Sequence, residues 1–101
     1  FREILLTFYR QRRDSSDEIV TLLEQGDLEK AGDIAHSIKG SSGYLGAWRL
    51  HHESAALENA CESGDADAAM QQLAQFRLSL EEVIDGLKGL ESGSDSQSEA
   101  P

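Results

Sequence analysis

One histidine in this chain has neighbours that packing does not explain. On a helix, His36 would have Gly32 and Asp33 one turn before it, Lys39 and Gly40 one turn after, and Gly43 a second turn on. A neutral imidazole is a nucleophile near neutral pH. An ammonium one turn away disfavours its protonation and could pair with a phosphoryl group once attached. Phosphoryl transfer passes through a loose transition state with charge on the peripheral oxygens, so positioning and nearby cations carry the catalysis. A histidine with a cation at i+3 and no side chain at i+4 suits that task. Each glycine inside a helix costs about 1 kcal/mol relative to alanine, so the cluster needs a reason. Either the glycines let a neighbouring helix approach closely, or they strip side chains from around the imidazole so that another protein can reach it. The apolar stripe of the segment places Gly40 and Gly43 on the outward side with His36, which favours the second reading for them; Gly32 fits either. An ordinary solvated surface histidine is the plain alternative.

Two other constellations carry less. His51-His52-Glu53 resembles the His-His-Glu of hemerythrin-like iron proteins. A di-iron site in a bundle needs ligands projecting inward from several helices, however, and adjacent histidines point about 100° apart. A solvated helix face is the expectation there, with no metal. Cys61 is the single cysteine. It falls on an apolar stripe, where a free thiol acts as a small buried hydrophobe. No internal disulfide can form, which excludes a disulfide-stapled scaffold.

The elements that must position these residues are helices. The one proline is Pro101, the last residue, so nothing interior blocks a helix, and no alternating apolar run supports a strand. Breakers divide the chain into four periodic segments. The first, Phe1 to about Gln25, carries Phe1, Ile4, Leu5, Phe8, Arg12, Ser15/Ser16, Ile19, Leu22 and Leu23 on one face. It is apolar at both ends and polar in the middle, and a single long helix is favoured over a break near Asp14. Gly26 suits the left-handed position after a helix, and Asp27 is a natural N-cap for the next. The second segment has Leu28, Ala31, Ala35, Ile38, Ser42 and Leu45 in line and stops at Gly43 to Gly46. The third places Ala47, Leu50, Ser54, Leu57 and Cys61 inward and ends at Ser63-Gly64. In the fourth, capped by Asp65, the stripe comprises Ala66, Ala69, Met70, Leu73, Phe76, Leu80, Val83, Ile84, Leu87 and Leu90. Short loops between amphipathic helices make antiparallel neighbours, so the expected fold is all-α, an up-down-up-down four-helix bundle over residues 1–91. Residues 92–101 are Ser, Gly, Asp and Glu with no apolar anchor larger than Ala100, and a disordered acidic tail is expected.

Charge and length exclude whole classes. The net charge is −10, with 19 acidic against 9 basic residues; nucleic-acid binding requires Lys and Arg clustered on one surface. Arg10, Arg12 and Arg13 come nearest, and Asp14, Asp17 and Glu18 flank them. A protein partner is expected instead. No apolar run approaches the roughly 18 residues of a membrane span. Four helices need no second chain, so a monomer without direct membrane contact is expected. The chain begins at Phe1 rather than Met, which suggests a piece of a longer protein.

The run Ala35-His36-Ser37-Ile38-Lys39-Gly40-Ser41-Ser42-Gly43-Tyr44-Leu45-Gly46-Ala47 closely resembles the signature of histidine-containing phosphotransfer (HPt) domains. Leu50, Leu57-Glu58 and Gly64-Asp65 downstream, with Leu22-Leu23 and Gly26-Asp27 upstream, extend the resemblance over about residues 1–88. It implies a helical bundle that takes a phosphoryl group from the aspartate of one receiver domain and passes it to that of another. It also implies that the chain has no ATP site and no kinase activity of its own. By this resemblance His36 is the phosphoryl carrier, Lys39 its electrostatic partner, and Gly40 the small residue that leaves room for the receiver. Gly32, Asp33, Gly43 and Tyr44 fall around it as partner-binding candidates. No cofactor is expected on this chain, since the receiver supplies magnesium and the acidic pocket. The setting implied is cytoplasmic, either free-standing or as the C-terminal module of a hybrid sensor kinase tethered to the membrane by its parent. Tyr44 departs from the small or polar residue common at its position, and Trp48 is a large aromatic soon after. Both lie near the tip of the helix pair, as core anchors (the reading favoured for Trp48) or as contributors to partner choice. The competing function is a non-catalytic helical module that docks a receiver without carrying phosphate.

Overall fold

The computed structural model describes the backbone of residues 2–99 and the side chains of residues 2–89. The expected tail, 92–101, lies outside the residues whose side chains are described. Five helices follow one another: α1 (Arg2–Arg12), α2 (Ser15–Glu24), α3 (Leu28–Leu45), α4 (Trp48–Glu62) and α5 (Ala66–Glu99). There is no strand among the described residues. α1 and α2 together form the first arm of an antiparallel four-helix bundle, and α3, α4 and α5 form the others.

The first arm is therefore interrupted rather than continuous, contrary to the favoured long helix. Asp14, at φ −104° and ψ 7°, leaves the helical region. The reason lies in the run Asp14-Ser15-Ser16-Asp17, four residues whose short polar side chains compete with the helix for backbone groups. The ladder resumes at once, with Arg13 N–H donating to Tyr9 O and Glu18 N–H to Asp14 O.

The other boundaries follow the expected chemistry. Gly26 and Gly46 both take left-handed φ, +78° and +79°, where a side chain would be strained. At each, paired bonds close the preceding helix: Asp27 N–H to Leu22 O with Gly26 N–H to Leu23 O, and Ala47 N–H to Ser42 O with Gly46 N–H to Gly43 O. Asp27 caps α3 by accepting from Lys30 N–H, and Asp65 accepts from Ala68 N–H at the start of α5.

The core is one cluster: Phe8 from α1, Ile19 and Leu23 from α2, Ala31, Ala35 and Ile38 from α3, Leu50, Leu57 and Cys61 from α4, and Ala69, Leu73, Phe76 and Leu80 from α5. Four residues assigned inward are exposed, Ala66 in the first turn of α5 among them. Met70 sits about 100° round from the Ala69–Leu73–Phe76–Leu80 stripe and faces out, as does Ile4. Trp48, favoured as a core anchor, is 61% exposed; it lies almost opposite Leu50 on α4, whose inward stripe is Leu50, Ser54, Leu57 and Cys61.

Candidate functional site

α3 turns Ala31, Ala35, Ile38 and Ser42 inward, which leaves His36 outward with its side chain 66% exposed. Beside it, a Cβ built on Gly40 would meet nothing within 4 Å, so the surface one turn on is open. Asp33 and Tyr44 are also exposed, Tyr44 by 71%. His36, Gly40 and Tyr44 thus run along one face at four-residue spacing.

α4 supplies a residue to this face. The Glu58 side chain is 14% exposed and bridges two groups of α3: His36 Nδ1–H donates to Glu58 Oε2 at 2.7 Å, and Lys39 Nζ donates to Oε1 at 2.6 Å. The Lys39 hydrogen bond, seconded by that from His36, holds the Glu58 carboxyl below the usual carboxylate range against the opposing pull of burial. Lys39 accordingly does not act on the imidazole as a bare charge, which was the expectation; a carboxylate stands between them. With Nδ1–H committed to that carboxylate, the lone pair of the neutral ring is on Nε2, the nitrogen left for chemistry.

Two of the glycines face α4: Gly32 takes the close-approach part left open for it, and Gly43 departs from the outward part expected of it. Gly32 is buried, and a Cβ there would lie 3.2 Å from Cys61 Cβ, so it allows α3 and α4 to approach closely. Gly43 is not outward either: a Cβ would come within 3.0 Å of His51 Nδ1. Helix periodicity put Gly43 on the side of His36, but it faces α4, and only Gly40 clears open surface.

Two grooves border α3, and His36 lines one of them. One, of about 510 Å³, is lined by Gly32, Asp33, His36, Glu58, Cys61 and Glu62 among others and is acidic. The second, of about 580 Å³, runs between Ile4, Thr7, Phe8 and Gln11 of α1 and Gly40, Ser41 and Tyr44 of α3. Cys61 and His36 line the same groove. Burial, with Glu58 and Glu62 adding, pushes its thiol up, which suits a packed hydrophobe and not a nucleophile. His51, expected on a solvated face, is half-buried and donates from Nδ1 to Lys39 O at 2.8 Å. Trp48 and His52 each meet its ring edge-on at 5.7 Å, and His52 is exposed.

A family model described as Hpt domain matches residues 3–86. The chain belongs to the Hpt domain family. Searches of curated proteins and of solved structures found no match. As an Hpt domain the chain is a component of phosphotransfer in two-component signalling, and domains of this family interact with response-regulator receiver domains. Among the described residues no helix is long and apolar enough to cross a membrane.

The residue that sequence reasoning undervalued in this Hpt domain is Glu58. In the sequence it stands only as the residue after Leu57 in the family pattern. Its sequence signal was faint: a carboxylate beside an inward leucine, on the border of the buried stripe. Its function depends on the register of α4 against α3, which no local spacing encodes.

The open surface at Gly40 yields a direct expectation. Gly40→Leu should leave the fold intact and could add up to about 1 kcal/mol of helix stability, yet abolish receiver binding by filling the face beside His36. Thermal melting and titration with a receiver check both halves; unimpaired binding would show that the receiver does not cover Gly40.

Proposed function

We propose that this domain relays a phosphoryl group between two receiver domains through His36 Nε2. What supports the reading is the arrangement at His36: an exposed imidazole with Nδ1 held by Glu58, beside a glycine that leaves its face open. In the forward step the Nε2 lone pair attacks the phosphorus of a receiver's aspartyl phosphate. A P–N bond forms, the P–O bond to the aspartate breaks, and the aspartate leaves as a carboxylate. Positive charge grows on the ring, and Glu58 offsets it across the Nδ1–H bond. The second step is the reverse, onto another receiver's aspartate. Magnesium, expected on the receiver and not on this chain, would supply charge neutralisation for the phosphoryl group. Lys39, within reach of the same face, exchanges part of its contact with Glu58 for the arriving phosphoryl oxygens. Asp33 and Tyr44 flank the approach, and the groove between α1 and α3 continues the contact surface. The domain acts as a cytoplasmic monomer without nucleic-acid or direct membrane contact, within or alongside a sensor kinase.

The test is to incubate the domain with a phosphorylated receiver and look for acid-labile, alkali-stable phosphate on it. Binding without such phosphate would leave the domain a docking module and end the carrier reading. Lys39→Ala is expected to slow transfer about tenfold and to change the lifetime of the phosphohistidine, with helix content retained. Rates and lifetime equal to the parent's would take Lys39 out of the mechanism.

A further inference from the structure

His51 has no part in the phosphotransfer chemistry described above, yet it grips the same residue of α3 as Glu58 does. Its Nδ1–H donates to the Lys39 carbonyl at 2.8 Å. Ser42 Oγ approaches that carbonyl at 3.1 Å but has one proton to give and lies 2.6 Å from Ile38 O. His51 is therefore the principal side-chain donor to Lys39 O. The space for its ring comes from Gly43, where a Cβ would stand 3.0 Å from Nδ1 and 3.3 Å from Cε1. This glycine in the last turn of α3 thus leaves room for one particular contact, and a methyl group there would force the ring to shift.

Lys39 is consequently held at both ends by α4: its carbonyl by His51, and its ammonium by Glu58, two turns further along. Glu58 uses its other oxygen to hold His36 Nδ1. A carboxylate can grip both groups only if α3 and α4 keep one axial register, and the His51 bond fixes that register from one end.

We propose that His51 is a positioning residue for phosphotransfer, locking α3 against α4 so that Glu58 holds His36 with Nε2 outward. This rests on the reading of His36 as phosphoryl carrier. Partners that orient a metal-bound histidine from behind typically contribute tenfold or more to affinity or activity, a scale taken over here for a reacting histidine. Small displacements of a reacting group are costly.

The experiment uses three variants of the full chain. His51→Phe keeps a ring and removes the donor. His51→Asn puts an amide N–H near the place of Nδ1. Gly43→Ala crowds the ring from the α3 side and forces it to shift, so the contact is perturbed independently if one variant fails to fold. Two quantities are read: single-turnover transfer from a phosphorylated receiver, and the ring nitrogen NMR pattern of His36, which reports its tautomer without any phosphate. His51→Phe should slow transfer about tenfold and change His36 from a single Nδ1–H tautomer to a mixture, and Gly43→Ala should move both readouts in the same direction by less. His51→Asn should stay close to the parent in both. Parental rates and a parental His36 pattern in His51→Phe and Gly43→Ala would overturn the proposal, as would an asparagine variant as impaired as the phenylalanine one. Should the parent itself accept no phosphoryl group, the carrier reading fails, while the tautomer comparison still decides whether His51 orders His36.

Discussion

His36→Gln is expected to abolish phosphoryl acceptance entirely while the bundle stays folded. The loss is total because no other group on that face can replace the nucleophile. Lys39 is a cation engaged by Glu58, and the Cys61 thiol is buried and pushed up. The fold survives because the imidazole is mostly exposed and its one bond, to Glu58, is a rim interaction. Such pairs contribute no more than about 1 kcal/mol. Melting by circular dichroism and phosphate transfer from a labelled receiver measure the two halves. Residual acid-labile phosphate on the variant would place the carrier elsewhere, and loss of helical signal would mean that His36 supports the core.

The second large effect belongs to Glu58. Replacing it by glutamine keeps its shape, but an amide offers one acceptor oxygen and a donor nitrogen to two donors, His36 Nδ1–H and Lys39 Nζ. One of the two contacts is lost, and the compensation of charge on the ring disappears with the carboxylate. Transfer is expected to fall by about ten- to a hundredfold, with receiver affinity nearly unchanged because Glu58 is mostly covered. An unaltered rate would remove Glu58 from the mechanism. Its acid dependence has a definite sign. The Glu58 carboxyl is held below its ordinary value in the folded protein, so the stability it contributes is complete above the ordinary carboxylate range and is lost as the pH falls through the lowered folded value. Acidification should therefore shrink the stability difference between parent and Glu58→Gln. A difference independent of pH would mean that the Lys39 and His36 contacts do not favour the ionised form.

Much of this protein is written locally. The absence of interior proline, the apolar spacing, and the glycine-aspartate boundaries at Gly26-Asp27 and Gly64-Asp65 determined the helices, their ends and the antiparallel bundle, because helix formation, capping and reversal depend on residues a few positions apart. The same periodicity determined that His36 faces out and Ile38 in. Two errors of the sequence reading were local as well: the run Asp14 to Asp17 interrupts the first arm, and Trp48 stands almost opposite the inward stripe of α4. The remainder needed the tertiary structure. Gly32, Gly40 and Gly43 are one residue type on one helix, yet one meets Cys61, one meets solvent and one meets His51. Glu58 becomes the bridge between His36 and Lys39, and His51 the tie to Lys39 O, only because α4 lies against α3 in a particular axial register. That register is set by the summed packing of whole helix faces, and no short stretch of sequence contains it.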